Sequence, residues 1–579
     1  MRRLFRKSGP FYTLGQEIPL PERISAADKK SSDSLKSGKN RLLFMMTGFF
    51  GAFCAISVQL TRLTVLSASA EMHAKTMESK TYALEMKMKR ADIVDRNGVL
   101  LATSLPSSDL YIEDTAQIKN PETLAAALSQ TLPDLNYKAL LKKLKGKKKF
   151  VYIKRGLTPK EQYEVNRLGF PQLAFEETEI RVYPQGSLVS HVIGKTDSDD
   201  KGIAGIEKMF NDRLFDKSEA IRLSLDVGVQ NTVHTALADS VEKYQADGAT
   251  AILLNAKTGE IVAMVSLPDY DPNNLSRVKQ SDMFNTASLG VFELGSVMKL
   301  FNTAIGLDTN KITVSDTIDA SHPVVFAKNT INDEPHLRRS MSIPEILIHS
   351  SNIGSARIAL SVGAEKQQEY FRRFGFFNPV AVELPERARP LRPASWRESE
   401  TAFAGFGYGV AISPLHLTAA AAALVNGGVY NQPSLLSKRN SEEITGKRVI
   451  SKKTSDLMRA MMRLVVTEGT GRKANVPGYE VGGKTGSARQ LVKGQYKKNS
   501  LRTSFLSAFP MDDPQYVLMV MLENPKGIKE TYNLNTAAWN AVPTAEKIIA
   551  AAAPQLGIIP RPFESKQAAP YVKAILNSR

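Results

Sequence analysis

Residues 42–60 (LLFMMTGFFGAFCAISVQL) run for 19 positions without a charge, bracketed by Arg41 and Arg62. At a rise of 1.5 Å per residue, a helix of that length crosses a hydrocarbon core of about 30 Å. The chain is thereby divided into a short piece and a long piece that must sit on opposite sides of a bilayer. Residues 1–41 hold ten lysines and arginines, whereas positions 63–77 hold only Lys75. The positive-inside rule then predicts a cytoplasmic basic tail at 1–41, a transmembrane helix at 42–62, and everything beyond Arg62 outside. Ala68-Ser69-Ala70 resembles a processing site, which makes a cleaved signal peptide the competing reading. The apolar core of a signal peptide spans about 7–15 residues, and Arg62 interrupts the approach to these alanines, so an uncleaved anchor is expected.

A chain of 579 residues is too long for one core and predicts roughly three or four units. Its 76 basic and 58 acidic side chains leave +18, a charge suited to nucleic acid, an anionic membrane surface or an acidic polymer. Neither zinc-finger spacing nor a basic–aromatic stripe occurs, so no nucleic-acid partner is expected. The single cysteine, Cys54, lies inside the apolar run, which leaves the remainder without disulfides or thiolate metal sites. The seven histidines show no metal-ligand or triad spacing, and only His349, beside Ser350, merits following. Seven lysines in 137–149 read as an exposed helix end and loop.

Three strings occur in order: Ser296-Val297-Met298-Lys299, Ser350-Ser351-Asn352 and Lys484-Thr485-Gly486. Such an S-x-x-K, S-x-N, K-T-G set marks serine acyl transfer. Two of the three have decoys, Ser276-Arg277-Val278-Lys279 and Lys257-Thr258-Gly259. The second decoy lies between the apolar runs 249–254 and 260–265, a hairpin pattern that makes it a turn with its lysine toward solvent. The first ends a polar loop and has no apolar helix behind it. Ser296, by contrast, opens a run that is apolar on nearly every face, which predicts a buried helix with Ser296 and Lys299 in its first turn. Residues 480–488, 503–509 and 516–523 read as three strands at meander spacing, followed by a helix over about 536–553. Strands at both ends with helices between predict an α+β domain whose sheet joins the two ends.

A serine needs a base before it can attack a carbonyl. Lys299, three residues on, shares a helix face with Ser296 and could be that base if burial and a nearby cation, Lys484, kept it neutral. The free N–H of Ser296 at a helix start suits half of an oxyanion hole, and that of Ser487 suits the other half. Ser350 and Asn352 sit where an apolar helix over 343–348 breaks, a setting that also suits plain helix capping. Glycines 482, 483 and 486 let a peptide lie close along a strand edge, where Lys484 and Thr485 would hold an anionic end. The string GYEVGGKT also matches a phosphate-binding loop, but that loop needs a helix after it, and a polar Lys/Gly/Gln segment follows instead.

Beyond these strings, Arg90-Ala91-Asp92-Ile93-Val94-Asp95-Arg96-Asn97-Gly98, Arg181-Val182-Tyr183-Pro184, Gly202-Ile203-Ala204-Gly205-Ile206-Glu207, Thr258-Gly259-Glu260-Ile261 with Pro272-Asn273, Phe406-Gly407-Tyr408-Gly409, Ser413-Pro414-Leu415 and Asn426-Gly427-Gly428 recur in a fixed order. Over about 86–553 the chain resembles the class B penicillin-binding proteins, membrane-anchored peptidoglycan D,D-transpeptidases. The resemblance implies a penicillin-binding/β-lactamase-like transpeptidase domain at 226–579, with a central antiparallel sheet, helices on both faces and an all-helical subdomain. A mixed α/β pedestal at 63–225 would precede it. It further implies Ser296 as nucleophile, Lys299 as general base, Ser350 and Asn352 as the second motif, and Lys484, Thr485, Gly486 and Ser487 as the substrate-binding strand. Donor D-Ala-D-Ala stem peptides and an acceptor amine would be substrates, β-lactams would acylate the same serine, and no metal or organic cofactor is implied. Leu294 stands where the family usually has proline, and Ser487 where it usually has threonine; neither removes a catalytic group. The long basic tail and compact pedestal look more like the septal, FtsI-type branch of the bacterial inner membrane, partnered by an FtsW-type glycosyltransferase and other division proteins. An elongation-specific enzyme, a β-lactamase or sensor, and a catalytically idle division scaffold are the alternatives.

Overall fold

The structure, a computed structural model, describes residues 44–61 and 90–561 apart from 147, 217–218, 277, 328, 439–445 and 493–494. The basic tail and Ala68-Ser69-Ala70 lie outside the described residues. The chain divides into two compact units, Met1–Met86 and Lys87–Arg579. In the first, α1 (Phe44–Thr61) is long and apolar enough to cross a membrane, and no other helix among the described residues is.

The second unit opens with a twisted sheet. Strand β1 (Ile93–Val94) pairs antiparallel with the long β2 (Leu100–Ile112). Helices α2 (Pro121–Thr131) and α3 (Tyr137–Leu144) precede β3 (Val151–Leu157), and α4 (Pro159–Asn166) precedes β4 (Ala174–Val182). Both β3 and β4 pair with β2, and β5 (Ile221–Arg222) pairs parallel with β1. The helices cover a local core that includes Leu110, Ile112, Leu124, Leu128, Leu140 and Leu144. The lysines of α3 follow from this packing, since Leu140 and Leu144 supply its buried face and leave the cationic positions outward.

A buried ion cluster joins the motif residues of this region. Glu207 accepts from Arg90 Nε (2.6 Å) and from Arg181 Nε (2.7 Å), and all three side chains are withdrawn from solvent. Arg181 also donates to the carbonyls of Arg90 and Ala91. The remaining guanidinium protons thus find acceptors, as buried charges require.

Helix α5 (Val227–Lys243) follows, capped by Asp226 at Val229 N. Strands β6 (Gly248–Asn255) and β7 (Ile261–Leu267) form the expected hairpin. Its turn carries Lys257-Thr258-Gly259, with Gly259 at φ +79° and Lys257 paired to Asp513 at the surface. The middle of the chain is helical: α6 (Met298–Asp308), α7 (Ile343–Ile348), α8 (Asn352–Val362), α9 (Pro414–Val425) and α10 (Lys452–Thr467). Strands β8 (Gly482–Val492), β9 (Gln495–Phe509) and β10 (Tyr516–Glu523) then return to the sheet, and α11 (Ala541–Gln555) closes it.

The five-stranded antiparallel sheet runs β8-β9-β10-β6-β7, so it is assembled from both ends of the domain. Alternation along each strand serves two cores. In β10, Leu518, Val520 and Leu522 meet α5 and α11, while Val517, Met519 and Met521 meet the helical middle. Burial on both faces explains why 516–523 is apolar without a period of two. Strand β8 lies at the edge beside the helical middle, which places the K-T-G string at the seam. That strand continues through Lys484 and Thr485 to Val492, where a phosphate-binding loop would require a helix.

Candidate active site

Four elements converge at the seam. A 3₁₀ turn, Gly295–Val297, leads into α6 and presents Ser296, half-buried, ahead of a fully buried helix. Gly295 takes φ +59°, and Gly407 at φ +93° packs so closely that a Cβ there would lie 2.1 Å from the Gly295 carbonyl oxygen. Gly295 N donates to Gly407 O at 3.2 Å. The Phe406-Gly407-Tyr408-Gly409 string therefore packs against the Ser296 turn from outside it.

The second motif divides its labour. Helix α7 ends at His349, which is exposed, and Ser350 then adopts φ +59°, a left-handed conformation that is costly for a residue with a Cβ. Ser351, the middle residue of the string, caps α8 by accepting from Gly354 N. The capping function expected of Ser350 and Asn352 thus falls to Ser351. Both flanking side chains are left to face the lysines.

Lys299 is fully buried, and its Nζ donates to the Ser350 carbonyl (2.5 Å) and to Asn352 Oδ1 (2.7 Å) and lies 3.1 Å from Ser350 Oγ. Lys484, also fully buried, approaches the same hydroxyl from β8 at 2.9 Å. Ser350 Oγ is therefore a bridge between two amines. Burial, then the Lys484 charge, pushes the proton affinity of Lys299 well below the ordinary lysine range, while Asp333 opposes that fall. Burial brings Lys484 down to about 7. A neutral Lys299 fits its surroundings: two N–H groups meet the two carbonyl-type acceptors, and the lone pair meets the Ser350 hydroxyl. Lys299, expected to share a helix face with Ser296, has its amine held by Ser350 and Asn352.

Strand β8 is brought against the Ser296 turn by glycine. A Cβ at Gly486 would lie 2.7 Å from the Leu294 carbonyl oxygen and 2.5 Å from Ser504 Oγ. Thr485 Oγ1 meets Thr470 Oγ1 at 2.7 Å and lies 3.5 Å from Lys484 Nζ, and Ser487 Oγ accepts from Ala537 N at 3.1 Å. Ser296, Lys299, Ser350, Asn352, Lys484, Thr485, Gly486 and Ser487 are thus assembled from α6, the α7–α8 break and β8. Sequence reasoning missed Asp333, a buried carboxylate in the loop after Asn329–Ile331, which accepts from Ser351 Oγ (2.7 Å), Asn352 N (2.5 Å) and Ile353 N (3.0 Å). Nothing in its local string sets it apart.

Residues 249–549 match the family model for the penicillin binding protein transpeptidase domain, and residues 85–235 match that for the penicillin-binding protein dimerisation domain. The chain is 36% identical over 550 residues to the probable peptidoglycan D,D-transpeptidase FtsI of Caulobacter vibrioides, covering 93% of this chain and 91% of the relative. It is 32% identical to the probable peptidoglycan D,D-transpeptidase PenA of Neisseria gonorrhoeae, covering 75% and 80%. The crystal structure of penicillin binding protein 3 from Mycobacterium tuberculosis, complexed with aztreonam, superposes with a TM-score of 0.64 at 23% identity, covering 82% of this chain and 99% of that one, and this supports the fold. The chain belongs to the class B penicillin-binding proteins, the peptidoglycan D,D-transpeptidases that join a dimerisation domain to a transpeptidase domain.

Proposed function

We propose that this chain cross-links peptidoglycan stem peptides during septal wall synthesis, with Ser296 as the acylated nucleophile. The observation that carries the reading is the buried Lys299–Ser350–Lys484 chain beside Ser296, in which one hydroxyl lies 3.1 Å and 2.9 Å from two amines. Neutral Lys299 takes the Ser296 proton as Oγ attacks the penultimate D-Ala carbonyl of the donor. The N–H groups of Ser296 and Ser487 receive the developing oxyanion. The proton passes through Ser350 to the leaving nitrogen, and D-Ala departs. An acceptor amine then attacks the acyl-enzyme, returns a proton along the same chain and restores Ser296. Lys484 and Thr485, with Gly486 keeping the strand close, hold the donor's terminal carboxylate, and Asn352 orients Lys299. A β-lactam would follow the first step only, since its opened ring retains the leaving nitrogen.

The division into a pedestal at 63–225 and a transpeptidase domain at 226–579 belongs to the same reading, supported by the two matched spans. The charge asymmetry around α1 supports an N-terminus in the cytoplasm and a catalytic domain in the periplasm, on a single inner-membrane anchor. The FtsI relative supports a septal role beside an FtsW-type glycosyltransferase and other division proteins. A fluorescent penicillin should label the full-length protein in membranes, and Ser296→Ala should abolish the label. Persistent labelling of that variant would remove Ser296 from the mechanism. Depletion should produce filaments, and rounded cells would assign the protein to elongation.

A further inference from the structure

We propose that Asp333 is a positioning residue that sets both the place and the working pH of the Lys299 amine by holding the Ser350-Ser351-Asn352 corner. It rests on the assignment of Ser296 and Lys299 above. Asp333 follows the small hairpin formed by Val324–Phe326 and Asn329–Ile331, 18 residues before Ser351. Its carboxylate meets the start of α8 with both oxygens. Oδ1 takes Asn352 N and Ile353 N, two of the donors that a helix N-terminus leaves unpaired, and Oδ2 takes the capping hydroxyl of Ser351. The preceding residue completes the grip. Asn332 O accepts from Asn352 Nδ2 at 2.9 Å, which turns Asn352 Oδ1 toward Lys299 Nζ at 2.7 Å.

The corner has a reason to need such a hold. Ser350 is left-handed, and a residue with a Cβ keeps that conformation only where its neighbours over-determine it. Ser350 supplies two of the three groups around Lys299 Nζ, its carbonyl and its hydroxyl. A corner that relaxed by about 1 Å would misplace amine and relay together, a displacement that costs on the order of a hundredfold in rate.

Asp333 also contributes charge. The charged groups acting on Lys299 are Lys484, from β8, and Asp333, from the loop packed on α8; Ser350, Asn352 and Ser296 are neutral. Lys484 favours a neutral Lys299 and Asp333 favours a protonated one. Removing the Asp333 charge should therefore make Lys299 easier to deprotonate, and the acidic limb of the acylation rate should move to lower pH.

The test measures the second-order rate of fluorescent-penicillin acylation against pH for full-length wild type, Asp333→Asn and Ser351→Ala. Wild type should label, which keeps the reading of Ser296 intact independently of the variants. Asp333→Asn keeps the shape, removes the charge and cannot accept from all three donors. It should acylate at least about tenfold more slowly at its optimum, with its acidic limb displaced to lower pH. Ser351→Ala removes one Asp333 bond and retains the charge, so it should slow acylation and leave the limb in place. An Asp333→Asn limb coincident with wild type, or an unchanged rate, would overturn the inference while leaving the Ser296 assignment standing. If Asp333→Asn yields no folded protein, Ser351→Ala decides the matter: acylation as fast as wild type would overturn the positioning role, and a slowed rate with an unmoved limb would support it.

Discussion

At Lys484, the cost of function can be read from one side chain. Its ammonium is withdrawn from water, and burial alone lowers its proton affinity from 10.5 to about 7. Between those two values the unfolded chain binds a proton that the folded chain does not. Stability should therefore rise with pH through that window, and the penalty should be fully present below it. Lys484→Met, close in volume and uncharged, should raise the melting temperature at pH 7 and flatten its pH dependence between 7 and about 10 relative to wild type. Penicillin acylation by that variant should be lost or fall by orders of magnitude. Differential scanning calorimetry across that range checks the sign; a lower melting temperature at pH 7 would contradict it. The convergence of Ser296, both lysines, Ser350 and Asn352 on one place was legible because each is a reactive residue type at a helix start, a helix break or a glycine-lined strand. Asp333 was not, because its role comes from a chain reversal that brings a loop onto α8, and neighbours in sequence carry no trace of that. The exchange of capping duty to Ser351 was equally hidden, since Ser350 and Ser351 differ in backbone conformation and not in chemistry.

Elements meet at this seam through glycine. Gly407 abuts the Gly295 carbonyl and Gly486 abuts the Leu294 carbonyl, so the turn carrying Ser296 is confined between a loop and an edge strand. Gly407→Ala would place a methyl 2.1 Å from that oxygen in a backbone conformation, φ +93°, that alanine resists. Something must move, and the turn carrying Ser296 is the nearest backbone. Acylation should fall by about a hundredfold or more, an effect to be measured alongside far-ultraviolet circular dichroism to establish that the fold persists. An acylation rate within about twofold of wild type would show that the turn is set elsewhere. The β6–β7 hairpin and the three returning strands were evident from their apolar runs and turn residues. The start of the final helix was not: residues 537–539 form a separate 3₁₀ turn, and α11 begins only at Ala541, after Asn540 caps it. Alanine-rich sequence does not mark where such a turn gives way to a helix.

Over the whole second unit, the pedestal and the transpeptidase region are fastened by polar latches that neither segment's own pattern reveals. The Asn273 amide pairs with both backbone groups of Tyr183, at 2.9 Å each. Glu386 accepts from Gly205 N at 3.3 Å, at the head of the segment that carries Glu207. The strings Arg90–Gly98, Arg181–Pro184 and Gly202–Glu207 are joined by the buried Arg90–Arg181–Glu207 cluster. Glu207→Ala would leave Arg90 and Arg181 buried without their common partner, at a cost of about 3–5 kcal/mol to folding. Chemical denaturation should register that loss; a change below about 1 kcal/mol would mean that the cluster relaxes by admitting water. The net charge of +18 suits an anionic setting for the molecule as a whole.

Two buried lysines share the Ser350 hydroxyl, and the proposed consequence is that Ser296 becomes covalently acylated. Incubating the purified full-length protein with benzylpenicillin, digesting it and mapping the adduct by mass spectrometry tests this most directly. One penicilloyl group per chain is expected, carried by the peptide containing Ser296, and no adduct in Lys299→Ala over the same time. An adduct on another residue, or undiminished acylation of Ser296 without Lys299, would contradict it.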